Sequence, residues 1–492
     1  VSAVILRGDA AHLPMADASV DSVVCDPPYG LAELPTAMVL KAIAAWMAGD
    51  RTHVPDGRGF MGREWDKFVP PPGVWDECLR VLKPGGHLLA FAGPRTVDLM
   101  TLSIRIAGFE IRDSISWVFG QGFPKSHDVS KAIDRMAGAE REITATGTPL
   151  KRMIPGATQN RTGQWAKDDG REFVPAQTAP ATEDAARWDG WGTALKPAHE
   201  PIVVARKPLA GKTVAANVLE HGTGALNIDG CRVSVTDPDY ARNASGDRGH
   251  DENRTRAMDF AMTAGKAHDA GRWPGNILLS HSPGCEMTGM RRVRPAAHGP
   301  SRGTTPRAAS DVYGTISDDA PGSHADADGM ETVEAWDCAD GCPVAELDRQ
   351  SGVSTSQGGR MRRTALGVMN DDGWQPTGQE TLHFGDTGGA SRFFPVFRYQ
   401  AKAPASERPR LEDGTAWPTV KPVELMRWLA RLVTPPGGTV LDPFCGTGTT
   451  GEAAILEGFD AVLIDKDPDA LALTRVRLAK PVQPGLFGLE AS

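Results

Sequence analysis

Long apolar runs are missing from this sequence: none approaches the roughly 18 residues a membrane-crossing helix needs, so no spanning segment is expected. The opening residues, Val1-Ser2-Ala3-Val4-Ile5-Leu6, carry no basic leader or cleavage site, and they read as a strand that begins almost at once, not as a signal peptide. A surplus of basic charge is also absent. Lys+Arg number 53 against 62 Asp+Glu, a net charge of -9, so any nucleic-acid surface must be local. Cysteine is sparse: seven thiols, an odd number scattered along the chain, argue for a reduced, cytoplasmic setting and against a disulfide framework. There is no internal repeat of fixed period, no Lys-Ser/Thr ending of a Walker phosphate loop, and no nuclease motif.

What is present fits a soluble globular protein, with 40% apolar and 23% charged residues. At 492 residues the chain is too long for one compact core, and two domains or one heavily decorated domain are expected. Glycine (55) and proline (38) predict much loop. Three zones differ in texture. From Val1 to about Glu140 the pattern is α/β-like: Val20 to Cys25 is a β-branched run stopped by a proline pair, hence a strand. Val81 to Phe91 reads as a helix end, a turn and a buried strand, and Gly108 to Trp117 as another turn and strand. From about 141 to 390 periodicity fades; Gly147–Ala186 and Ala296–Met330 look like loop or disordered insertion, with strands at Glu200–Ala205 and Asn276–Leu279 between them. From about 391 to 480 order returns. A helix opening at Pro422 sets Val423, Met426, Ala430 and Val433 on one apolar face. Strands follow at Thr439–Leu441 and Asp460–Ile464, with a closing helix over Ala470–Leu478.

Two motifs carry chemistry. Leu441-Asp442-Pro443-Phe444-Cys445-Gly446-Thr447-Gly448-Thr449-Thr450 lies between a strand and a helix beginning near Gly451, where glycines let the backbone turn tightly and approach a ligand. Asp465, at the end of the next strand, stands where a ribose hydroxyl would be held. Asp26-Pro27-Pro28-Tyr29-Gly30 also follows a strand, and its two prolines stiffen a loop that presents an acid, a carbonyl and an aromatic ring as one set. Taken alone, that loop is equally a proline-stiffened turn with a solvent-facing acid.

Together the motifs resemble those of the DNA amino-methyltransferases, whose Asp/Asn/Ser-Pro-Pro-Tyr/Phe and Phe-x-Gly-x-Gly loops match Asp26–Tyr29 and Phe444–Gly448. The catalytic loop comes first and the cofactor loop last, which is similar to the circularly permuted β group of that family, from bacteria and phages. Thr419–Leu425, containing Lys421, resembles the segment lining the methionine end of the cofactor, and Arg7-Gly8-Asp9 the position that contacts its adenine. The resemblance covers about 1–135 and 391–480, plus Lys196–Pro208. It implies a doubly wound, Rossmann-like, S-adenosylmethionine-dependent methyltransferase fold, with 1–209 as the catalytic half (141–190 a loop-rich insertion), 210–390 as target recognition, 391–480 as the cofactor half and 481–492 as a tail. Catalysis falls to Asp26, Pro27, Pro28 and Tyr29: the Asp26 carboxylate and Pro27 carbonyl accept hydrogen bonds from a base NH2, and Tyr29 stacks on the flipped base. Cofactor contacts fall to Asp9, Lys421, Asp442, Phe444, Gly446, Gly448, Thr449 and Asp465. An aspartate in the loop points to adenine N6, with cytosine N4 as the alternative; a cytosine-C5 enzyme would need a Pro-Cys nucleophile, whereas Cys25 is expected to face the core. RNA or protein-amide methyltransferases with similar loops place the cofactor motif first, and a non-catalytic DNA-binding descendant should have lost one of the motif residues.

The resemblance makes double-stranded DNA the partner, allows a homodimer, and fits a restriction-modification setting without naming a nuclease. Arg291, Arg292 and Arg294, with Arg302 and Arg307, form a basic stretch suited to phosphates, or a solvated loop without a partner. Phe123 and Lys125, in Gly122–Ser126, are family-like and face the flipped base or its backbone in that reading. His281-x3-Cys285 and Cys338-x3-Cys342 supply four soft donors in two pairs, either a structural zinc site or independent buried thiols.

Overall fold

The computed structural model describes residues 1–32, 34–57, 66–120, 126–147, 150–151, 158–159, 165–166, 172–174, 176–233, 273–282, 284–293, 331–352, 354–355, 359–363, 368–370, 373–375, 379–383, 387–397, 409–411 and 420–479. The eight strands expected from the sequence, joined by Val396–Phe397, which the sequence did not mark, assemble into one sheet of nine: β1 (Ala3–Arg7), β2 (Val20–Cys25), β3 (Leu82–Phe91), β4 (Glu110–Val118), β5 (His199–Arg206), β6 (Ile277–Ser280), β7 (Val396–Phe397), β8 (Thr439–Asp442) and β9 (Asp460–Asp465). Their order is β1-β9-β8-β2-β3-β5-β4-β6-β7. All neighbours are parallel except β5, which runs against both β3 and β4. Two strands from the C-terminal part of the chain thus lie between β1 and β2, the permuted arrangement of a doubly wound Rossmann-like sheet.

All six residues of β2 are buried, as a central strand covered on both faces requires. Its side chains alternate: Val23 and Cys25 enter one apolar layer with Leu88 and Ala90, while Val24 enters the other with Leu89 and Phe91. The first layer is closed by α1 (Thr36–Met47), α2 (Pro72–Val81) and α3 (Val97–Ile106), through Trp46, Trp75 and Met100. Three further helices, α4 (Val129–Ala137), α5 (Glu183–Arg187) and α6 (Val214–His221), precede α7 (Pro343–Ser351). The second layer is closed by α8 (Val423–Val433), α9 (Thr449–Leu456) and α10 (Pro468–Leu478), through Leu425, Met426, Leu429, Ala453 and Leu471. Among the described residues no helix is long and apolar enough to cross a membrane.

Three local features differ from the sequence reading. The chain passes from α2 into β3 without a separate turn; Lys83–Gly86 are instead a bulge, since Val20 pairs with Leu82 while Ser22 pairs with His87. Helix α8 buries far more than one stripe, including Leu425, Trp428 and Leu432, because α9 and Phe397 cover flanks that a surface helix would leave wet. Within the stretch read as loop, Ile143–Thr146 pairs with Ala176–Thr178, and the buried Asp134 of α4 accepts from the Ala181 and Thr182 amides and from Arg141. Ala296–Met330 and the 481–492 tail lie outside the described residues.

Candidate active site

Strand β2 ends at Cys25, whose side chain is fully buried in the first apolar layer, so the next residue is the first to leave the sheet. Burial pushes the Cys25 thiol well above its usual range, reinforced by Asp442, Cys78 and Asp26, which excludes it as a thiolate nucleophile. Pro27 and Pro28 offer no amide hydrogen, so the loop's anchoring falls to the following residues. The Tyr29 and Gly30 amides both donate to Asp66 Oδ1 at 2.9 Å, and Thr96 Oγ1 donates to the Tyr29 carbonyl at 2.6 Å. Held in this way, the loop turns its two polar side chains to a single ammonium. Lys421 Nζ lies 2.7 Å from Asp26 Oδ2, 3.0 Å from Tyr29 Oη and 3.3 Å from Glu200 Oε2. The Tyr29 hydroxyl donates in turn to Glu200 Oε2 at 2.9 Å. Burial disfavours the Lys421 charge, but Asp26 and Glu200 outweigh it and hold its pKa above the ordinary lysine value. Burial, Asp26 and Glu200 likewise push the Tyr29 phenol well up, so it stays protonated.

The second loop leaves β8, the parallel neighbour of β2, with Ser22 opposite Val440 and Val23 opposite Leu441. Asp442 is buried at 2% exposure, accepts from Phe444 N (3.0 Å) and Thr450 Oγ1 (2.5 Å), and is pushed up to about 7, chiefly by burial. Gly448 caps α9 at φ +78°, a left-handed conformation that a side chain would strain. A Cβ there would also meet Thr474 Cγ2 at 2.7 Å, and Thr474 is the residue whose hydroxyl binds the Gly446 carbonyl at 2.9 Å. Thr449, first residue of α9, is buried. Asp465 ends β9 and accepts from Gly446 N and Asp467 N, both at 2.9 Å, while burial raises its pKa.

Between the two loops lies a cleft of about 320 Å³, bordered by Asp9 after β1, Pro28, Phe68, Phe444 and Lys466. Asp9, Phe444 and Pro28, chosen from distant parts of the sequence, therefore share one wall system. Lys421 does not border this cleft; it stands with Asp26, its ammonium 5.2 Å from the Tyr29 ring centroid and 4.8 Å from that of Phe91.

Of the residues expected at a DNA surface, Phe123, Lys125 and Arg294 lie outside the described residues, as do Arg302 and Arg307. Arg291 and Arg292 fall on a hairpin formed by Glu286–Val293 and Glu331–Asp337, opposite Val333 and Thr332. His281, Cys285, Cys338 and Cys342 are brought together, their donor atoms all within 4.8 Å of one another. Sequence reasoning missed three residues that build the site. Glu200 opens an apolar strand and looked like part of it; only the reversed direction of β5 delivers its amino end to the edge where β2 and β8 deliver their carboxyl ends. Asp66 and Thr96 have no periodic or motif context that would single them out.

A family model described as DNA methylase, of the N6/N4 methyltransferase type, matches residues 20–475. The Type II methyltransferase M.HindIII of Haemophilus influenzae is 24% identical over 154 residues, 31% of this chain and 36% of that protein, so the match spans about a third of that relative's length. Among solved structures, the cytosine-N4-specific PvuII DNA methyltransferase aligns at 10% identity and TM-score 0.34, over 98% of this chain and 89% of that one. The M1.HpyAVI–SAM complex aligns at 11% identity and TM-score 0.32, over 97% and 99%.

Proposed function

The chain belongs to the N6/N4 DNA methylase family, and from that premise we propose that it transfers the methyl group of S-adenosylmethionine to the exocyclic amino nitrogen of a base flipped out of double-stranded DNA, adenine N6 in preference to cytosine N4. The observation that carries this reading is the adjacency of the two loops: the Asp26 loop and the Phe444–Gly448 loop leave the carboxyl ends of neighbouring parallel strands, where open α/β sheets hold ligands. The cleft suits an adenosine, with Phe68 and Phe444 as apolar walls, Asp9 as a polar contact and Asp465 close to the glycine loop. When bound, the cofactor supplies an electrophilic sulfonium methyl.

The chain's own residues do the rest. A ring amino group is a poor nucleophile because its lone pair is delocalised. Asp26 and the Pro27 carbonyl each accept a hydrogen bond from one of its N–H groups and favour the geometry in which the nitrogen lone pair points at the methyl; one amino proton is lost once the N–C bond has formed and the S–C bond has broken. Lys421 fixes the Asp26 carboxylate in one orientation through its 2.7 Å contact, so little rearrangement is needed when the base arrives. Tyr29, with its hydroxyl tied down, offers its ring to the flipped base. The loop's aspartate supports adenine as the target. The test is to incubate protein with DNA and labelled cofactor and to identify methylated nucleosides by mass after digestion. N6-methyl-2′-deoxyadenosine from the wild type, and none from Asp26→Ala with cofactor affinity kept within a few-fold, is the expected outcome. N4-methylcytosine would reassign the base, and undiminished transfer by Asp26→Ala would remove the mechanism.

A further inference from the structure

Outside the active site, one side-chain cluster has the composition and geometry of a ligand set. His281 follows β6 directly, and its ring Nδ1 lies 3.5 Å from Cys338 Sγ and 3.6 Å from Cys342 Sγ. In a tetrahedral zinc site with the usual Zn–S and Zn–N lengths, ligand nitrogen and sulfur stand about 3.6 Å apart. Cys285 completes the group, and the four donors lie within 4.8 Å of one another. His281, Cys285 and Cys342 are buried, and no pair of cysteines is joined by a disulfide.

The two contributing loops share one design, which independent buried thiols would not require. His281-Ser282-Pro283-Gly284-Cys285 and Cys338-Ala339-Asp340-Gly341-Cys342 each place a glycine immediately before the second donor. Gly284 and Gly341 both have left-handed φ angles, +85° and +72°. In each turn the second cysteine's amide donates three residues back, Cys285 N to Ser282 O and Cys342 N to Ala339 O, both at 3.1 Å. Each turn thereby points its first and last side chains to the same spot. The Ala339 amide also donates to Cys285 Sγ at 3.3 Å, an outer hydrogen bond of the kind that orients a thiolate ligand. The His281 ring is stacked on Trp336 (4.2 Å, 19°), and its amide is fastened to Phe397 O of β7 at 3.0 Å.

We propose that these four residues bind one structural zinc ion as a closed Cys3His site. The need for it is local: the apolar cluster around Leu279, Cys285, Cys342 and Val344 is small, and among the described residues it shares with the Glu286–Val293/Glu331–Asp337 pairing the task of closing the long excursion from Cys285 to Cys338. The ion ties the base of the Glu286–Val293/Glu331–Asp337 hairpin to the sheet. Because β6, β4 and β2 are mutually parallel, that base sits on the same edge as Asp26, four strand spacings or about 19 Å along the sheet. A hairpin bearing Arg291 and Arg292 is thus anchored on the face where the proposed substrate would lie.

Metal analysis of the full chain, purified without chelator, decides the matter independently of methyl transfer. About one zinc per chain is expected, and replacement by Co(II) should give the intense visible bands of a tetrahedral thiolate site. His281→Cys should keep the metal as a four-thiolate set, whereas Cys338→Ser with Cys342→Ser should lose it while cofactor binding, measured by calorimetry, shows the sheet still folded. Substoichiometric metal in the wild type, with all four side chains freely modified by thiol and imidazole reagents, overturns the proposal. So does a disulfide among the three cysteines in unreduced peptides.

Discussion

Glu200 is the residue whose role depends most on its surroundings. It accepts from the Tyr29 hydroxyl and helps Asp26 keep the Lys421 ammonium charged against burial. Removing its charge while keeping its shape should lower the Lys421 pKa, since one of two neighbouring anions is lost. With the sign followed through, Lys421 in Glu200→Gln loses its proton at lower pH, and Asp26 loses its orienting partner sooner. The alkaline fall in kcat should therefore begin at lower pH than in the wild type, with kcat near neutrality reduced about tenfold. A glutamate that only supported packing would lower stability and leave the alkaline limb unmoved, so profiles of kcat against pH for the two proteins separate the readings.

At the scale of elements, the Phe444–Gly448 loop is held by the amino end of α9 and by the buried Thr474 of α10, whose hydroxyl binds the Gly446 carbonyl. Gly448→Ala attacks that joint twice. Its φ of +78° is costly for alanine, and the added Cβ meets Cγ2 of the buried Thr474 at 2.7 Å, so that something must shift. A loss of about 1–3 kcal/mol in stability is expected from the strain and overpacking. Cofactor affinity should weaken about tenfold or more, because the loop must shift to relieve the clash. Calorimetric titration together with thermal melting checks both; an unchanged Kd with an unchanged Tm would show that the loop is not held in this conformation.

Over the whole molecule, stability responds to pH through buried titratable groups. His87 on β3 is buried, its Nδ1 has no hydrogen-bond partner among the described residues, and burial with Arg206 and Arg112 depresses its pKa to about 4. The unfolded chain therefore binds a proton there that the fold refuses. The resulting stability is fully present above the unfolded value of about 6.5 and is lost as pH falls toward 4, about 2 kcal/mol of it by pH 5. Asp442 has the opposite sign: pushed up to about 7, it favours the fold at low pH and loses that contribution as pH rises from about 4. His87→Leu isolates the first effect. Between pH 7.5 and pH 5, the wild type should lose about 2 kcal/mol relative to this variant in urea unfolding. A difference between the two proteins that does not vary with pH would mean His87 is hydrated in the fold.

The sequence by itself determined the elements and the two loops. β-branched runs marked β2, β8 and β9, a proline opened α8, and the proline pair and the glycines marked where the chain must leave a strand, because backbone sterics act within a few residues. It also supplied the four metal-ligand candidates, though not a choice between zinc and separate thiols. Tertiary structure decided what meets what. Lys421 reaches Asp26 across 395 positions because β8 lies beside β2, and Glu200 joins them because β5 runs backwards in an otherwise parallel sheet. Asp66 anchors the Asp26–Gly30 loop from a segment with no recognisable pattern. Hydrogen bonds and ion pairs of this kind depend on distances of about 3 Å between groups far apart in the chain. Local sequence constrains dihedral angles and burial, and such distances follow only from the register of strands whose order the chain path fixes.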